Sequence, residues 1–206
     1  MGRFEHLEIG DPRLPQVEAV PADDNIIDED YYLALASEAF DNEDYEKALS
    51  YYSRILQYDE DSIQGWLGQL RSLIELGELN EAVVWSKRIL DKQMRSAPLL
   101  AARAVAESRI GNSGIAIGYS DSAISGEGIC PYVWLSRGEV LINDNLQNAR
   151  LCFTKALDAS GQDWHYHFWI SQAYMNKKCY HQAREHLKYA VGMDSSKHCC
   201  WYRLGQ

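Results

Sequence analysis

Five alanines, Ala48, Ala82, Ala116, Ala149 and Ala183, recur at spacings of 34, 34, 33 and 34 residues, and their surroundings recur with them. Sixteen residues before each alanine stand Tyr32, Trp66, Leu100, Val133 and His167, and seven after stand Ile55, Ile89, Ala123, Ala156 and Ala190. A fixed period in this range marks stacked supersecondary units, none of which can bury its apolar face alone. The chain is therefore expected to be one quasi-one-dimensional array that grows by stacking, with a core drawn out along a line.

Each period reads as two amphipathic helices and a tight turn. In the first, Tyr32, Leu35, Ala39 and Phe40 follow a 3.6-residue period, Asp41-Asn42-Glu43-Asp44 breaks it, and Tyr45, Ala48, Leu49, Tyr52, Ile55 and Leu56 resume it. Later units break at Gly77-Glu78, Gly111-Asn112-Ser113-Gly114, Asn143-Asp144-Asn145 and Asn176-Lys177-Lys178. Pro98 and Pro131 fall at helix starts, where a missing N–H costs nothing.

The net charge of −10 is unevenly spread. Residues 1–30 hold nine acids against Arg3 and Arg13, residues 31–62 eight acids against Lys47 and Arg54, and residues 164–206 two acids against six bases. An acidic total without a basic cluster argues against nucleic acid, whose phosphates demand Lys and Arg. Five cysteines without a CxxC spacing suit free thiols in a cytoplasmic protein better than a disulfide framework. No run approaches the ~18 apolar residues that span a bilayer, so no membrane partner is expected.

These residues resemble the tetratricopeptide repeat family, a 34-residue helix–turn–helix unit with a large residue at position 4, small ones at 8, 20 and 27, and an aromatic near 24. The resemblance implies an all-α, right-handed superhelical solenoid with units at 29–62, 63–96, 97–130, 131–163 and 164–197. Residues 1–28, acidic and holding Pro12, Pro15 and Pro21, read as a tail. Residues 198–206 read as the start of a sixth unit or a terminal helix, which makes the chain look like a fragment of a longer repeat protein. The third unit departs most. Its Arg103 and Glu107 stand where the family is apolar, either paired at i,i+4 or on a rotated helix, and Gly114 and Gly118 weaken its second helix.

The resemblance also implies that positions 2, 5, 9, 12 and 13 of each unit point into a concave groove. The candidate contacts are then Leu33, Ser37, Phe40, Leu67, Arg71, Ile74, Val105, Leu135, Glu139, Phe168, Gln172 and Met175, with Arg71 and Glu139 setting orientation. Chaperone-binding relatives hold a peptide carboxylate with Lys, Asn and Arg at positions where this chain has Leu33, Ser37, Gln64, Gly68, Pro98 and Ala102, so that activity is excluded. A mostly apolar groove suits a peptide or helix of another protein with apolar anchors.

Two alternatives stay open. The acidic first unit and basic last unit would complement one another head to tail in a homo-oligomer, or the acidic tail would occupy the groove. Five of the six histidines crowd residues 164–206, but His181 and His186 are five apart and no cysteine pair has zinc spacing, so no metal or cofactor is expected. No phosphate loop, nucleophile elbow or carboxylate pair points to an enzyme.

Overall fold

The computed structural model describes residues 29–92, 94–196 and 198–205. The expected tail at 1–28 lies outside the described residues. Among these residues the chain is all helical: α1 (Glu29–Asp41), α2 (Tyr45–Tyr58), α3 (Ile63–Glu75), α4 (Leu79–Asp91), α5 (Ala97–Ile110), α6 (Ser113–Ser125), α7 (Pro131–Leu141), α8 (Leu146–Ala159), α9 (Trp164–Asn176), α10 (Tyr180–Met193) and α11 (His198–Leu204). The two helices of each hairpin pack together, the first helices α1, α3, α5, α7 and α9 pack on one another in turn, and every second helix packs on the first helix that follows it. The result is an all-α solenoid.

Local chemistry starts the helices. The side chains of Asp44, Ser62, Asn145 and Asp163 accept hydrogen bonds from the backbone N–H groups of Lys47, Gly65, Asn148 and His165, satisfying donors that a helix start otherwise leaves unpaired. The turn inside most hairpins needs one left-handed residue. Gly77 (φ 81°) and Gly111 (φ 104°) adopt it freely, whereas Glu43 and Lys178 hold it at φ 60° against the steric preference of a side chain. Among the described residues the fourth hairpin has no such residue, and there the alanine spacing falls from 34 to 33. The shorter period is thus a different turn.

All five ladder alanines are buried. Where the fourth unit carries Gly138 instead of a larger residue, the ring of Phe153 occupies the space a Cβ would take, and that ring meets Tyr174 edge-on with centroids 5.1 Å apart. Gly68 makes the same allowance for Tyr52. Glycine here is a packing device, not a hinge.

The third unit lies at the centre. Residues 101–108 of α5 are all buried, four of them alanines, which let α3, α4, α6 and α7 approach closely. Arg103 and Glu107 resolve as an i,i+4 pair: Nη2 lies 2.6 Å and Nε 2.9 Å from Oε1. The guanidinium also donates to the Ser86 hydroxyl at 2.9 Å and to the Val83 carbonyl, while the Asn112 amide donates to the other Glu107 oxygen at 2.7 Å. Gly114 and Gly118 of α6 face open space, so that helix is plain on its outer side.

Candidate functional site

The first helices turn their inner faces toward one another, and Arg71 on α3 reaches the middle of the space between them. Its guanidinium carbon lies 4.4 Å from the ring centroid of Phe40 (α1), 4.8 Å from Tyr132 (α7) and 4.6 Å from Trp169 (α9). Phe40 and Trp169 are themselves in edge-on contact, with centroids 6.4 Å apart. Three other helices of the array therefore converge on one cation of α3.

Beside this cluster Arg109 joins α5 to two neighbours. It donates to Glu75 at 2.9 Å and to Glu139 at 2.7 and 3.3 Å, with a further bond of 3.3 Å to the Ile74 carbonyl. Burial alone would favour a neutral Arg109, but Glu139 and Glu75 outweigh it and raise its pKa. Burial pushes the Tyr132 hydroxyl up to about 12, so this phenol stays protonated. The space left among these side chains is about 30 Å³, room for a water or two.

The ends of the array also meet. Glu43, in the first turn, accepts from Arg203 of α11 at 2.7 Å and from the Gln172 amide of α9 at 3.1 Å. His165 of α9 lies 3.2 Å from Asp41 and 2.8 Å from Asp163. Lys177 donates to Ser108 at 3.2 Å. Two acids of the first unit, Glu43 and Asp41, thus meet basic groups of the C-terminal end within one chain.

The open groove expected from the sequence is filled. Of its candidate residues, Phe40, Arg71, Val105, Leu135, Glu139 and Gln172 do line one shared space, but all of these except half-buried Arg71 are buried. Ile74 is buried in the central core because neighbouring first helices pack on one another. Phe168 faces the other way, against Leu187, Ala190 and Cys200. Met175 lines an outer cleft with Tyr180, Leu187 and Leu204. Leu33 packs half-buried in the cluster of Phe40, Leu67 borders the central core, and Ser37 is exposed. Glu139 is not free to orient a partner, since Arg109 holds it.

Residues 33–97 match the family model described as tetratricopeptide repeat. The fold agrees along nearly the whole chain. A thermophilic tetratricopeptide protein of Thermus thermophilus, TTC0263, superposes with a TM-score of 0.64 at 17% identity, over 86% of this chain and 97% of that one. Residues 33–97 are thus tetratricopeptide repeat, and beyond them the likeness is one of fold. The Cut9–Hcn1 hetero-tetramer of the APC/C gives a TM-score of 0.58 at 17% identity, over 85% of this chain and 35% of the other. Both likenesses concern the fold. Among curated proteins no sequence matches.

Four residues of the cluster are not among the named groove candidates. Tyr132 occupies position 2 and Glu75 and Arg109 position 13 of their units, positions that the resemblance does aim into the groove, while Trp169 occupies position 6, which it does not. Opposite charges at position 13 of two consecutive units were a readable signal for the Glu75–Arg109 pair, whereas Glu139 joins it from position 9. Trp169 gave none, because its role depends on how tightly the array curls.

Histidines bring pH into this arrangement with opposite signs. The Nδ1 atoms of His167 and His186 lie 3.1 Å apart between α9 and α10. Burial, then the neighbouring His167, lowers His186 to about 4, and burial lowers His167. At His165 burial is outweighed by hydrogen bonds to Asp41 and Asp163, and the pKa is raised. Between pH 6.5 and 4 the unfolded chain takes up a proton at position 186 that the folded chain refuses, so stability falls as pH falls. His165 works oppositely, its contribution being present below 6.5 and lost as pH rises through its raised value. Urea unfolding of the chain should therefore lose on the order of 2 kcal/mol more between about pH 7 and 4 than unfolding of His186→Gln, since each tenfold change in proton affinity is worth roughly 1.4 kcal/mol before an allowance for partial exposure. Parallel pH curves would contradict the assignment. Among the described residues no group of three or more His, Cys, Asp or Glu is placed to hold a metal ion.

Proposed function

We propose that the chain is a protein–protein interaction scaffold whose concave face takes an apolar peptide or helix of a partner in exchange for the side chains that now fill it. Tetratricopeptide proteins generally mediate such interactions. The observation that carries the finer reading is the nature of the closure. The first unit meets the fifth unit and α11 through one aromatic contact, Phe40 with Trp169, and through polar side chains that remain partly wet: Glu43 and Arg203 are each 25% exposed, Asp41 and His165 35% and 24%. Pairs of this kind are worth about 0–1 kcal/mol each, so a partner that covers half-buried Leu67 and Trp169 can outweigh them.

The free cysteines suit a reducing compartment, which we take to be the cytoplasm. Among the described residues no helix is long and apolar enough to cross a membrane. Head-to-tail assembly has less support than the concave-face reading, because two of the charges it would use, Glu43 and Arg203, are engaged within the chain.

Affinity capture with mass spectrometry tests the proposal. Glu43→Ala, which frees Arg203 and Gln172, should increase recovery of the proteins captured by the intact chain. Leu67→Asp should reduce it while leaving the helical circular dichroism unchanged. Recovery indifferent to both substitutions would rule out the concave face.

A further inference from the structure

The cluster around Arg71 has the composition of a receptor for cations. Three aromatic rings from three helices present themselves to one guanidinium within 4.4–4.8 Å, inside the ~6 Å over which a ring quadrupole attracts a cation. Among the described residues Arg71 makes no hydrogen bond or ion pair with a carboxylate. The carboxylates that share its pocket, Glu75 and Glu139, are both directed to Arg109. Without Arg71 the pocket would hold two carboxylates, one guanidinium and three ring faces. It would be anionic and aromatic, with its phenol protonated.

We propose that Phe40, Tyr132 and Trp169 form a binding site for a cationic side chain, an arginine or a methylated lysine of a partner, and that Arg71 occupies this site in cis. The inference rests on the concave-face reading and adds the chemistry of the partner's anchor: a positive group flanked by apolar residues. Arg71 acts as a tethered competitor. A tethered group competes at an effective concentration in the millimolar range or above, so a free cation meets a site already near saturation. A partner must bring either a cation better placed than Arg71 or enough apolar contact to displace it.

Two further features favour such a site over ordinary packing. Arg71 itself is only half-buried, so its stem has an exit toward solvent. Besides their contact with one another, the rings it touches each have a support of their own: Phe40 has Tyr45 at 5.1 Å and Trp169 has Tyr166 at 5.0 Å, while Tyr132 belongs to the central core. The walls should therefore keep their places when Arg71 leaves.

The test is titration of the full chain carrying Arg71→Ala with N-acetyl-arginine amide, followed by the indole N–H resonances of its six tryptophans. The Trp169 signal, identified by its loss in Trp169→Phe, should shift saturably at millimolar ligand. N-acetyl-citrulline amide, the neutral analogue of nearly the same shape, should bind at least 10-fold more weakly. The unaltered chain should respond at least 10-fold more weakly to arginine amide. If Arg71→Ala is too unstable to titrate, its melting temperature should rise with arginine amide and not with citrulline amide, because a ligand of the folded state stabilises it by mass action. Equal responses to the two amides, or no saturable response of the folded variant, would overturn the proposal. These readouts involve no captured protein, so they succeed or fail independently of the capture experiment.

Discussion

Glu107→Ala should destabilise the chain by about 3–5 kcal/mol, the usual penalty for leaving a buried charge without its partner. Arg103 has nowhere else to turn. Its side chain is 10% exposed and that of Glu107 4%, and the carboxylate is the only anion the guanidinium touches among the described residues. Loss of Glu107 would also strip Asn112 of its acceptor at the turn into α6. For an array of this size the loss corresponds to roughly 10 °C in melting temperature. Arg103→Leu combined with Glu107→Leu should recover most of it, since apolar residues of similar volume often replace a buried pair at little cost. Thermal melts of the single and double variants decide the matter: a double variant as unstable as Glu107→Ala would mean that the bonds to Val83 and Ser86, and not the pairing of charges, hold this junction.

Phe153→Ala should cost about 3–5 kcal/mol through the cavity it leaves. Phe153 is 2% exposed, and it fills the room that Gly138 provides on α7 before reaching Tyr174 on α9. It therefore ties three helices together. Gly138→Ala alone should cost about 1–3 kcal/mol, because the new methyl group collides with a ring whose own rotamer is fixed by Tyr174. With both changes the methyl group enters the cavity, and the double variant should be more stable than the sum of the two losses predicts by on the order of 1 kcal/mol. Denaturant titration of the four chains measures this coupling, and simple additivity would show that glycine and ring do not share the space.

How far the sequence reached is clear from particular residues. The alanine ladder announced the hairpins because a close helix crossing admits only a small side chain, and Ala48, Ala82, Ala116, Ala149 and Ala183 all sit at 2% exposure or less. Glu43 and Lys178 could not be read as left-handed, since no residue type forces that backbone except by permitting it. Arg103 and Glu107 were four apart and so could meet along one helix, whereas Arg71 finds its rings on helices 31 residues before it and 61 and 98 residues after it. Such contacts depend on the curvature accumulated over five units. Small differences at each interface add up, and the individual period carries no record of their sum. For the same reason the periods named which helices pack on one another in turn but not how closely their inner faces meet.

The joining of Glu43 to Arg203 and Gln172 alters what kind of object the array is. A linear stack has two free boundaries, and each terminal repeat can melt without consulting the other, as in a one-dimensional chain of coupled spins. Here the boundaries face one another. Fraying of α1 would release α9 and α11 from these contacts, and fraying of α9 would uncover α1, so the openings of these two distant units are coupled by as much as the contacts between them are worth. Units remote from one another along the described polypeptide are here also neighbours.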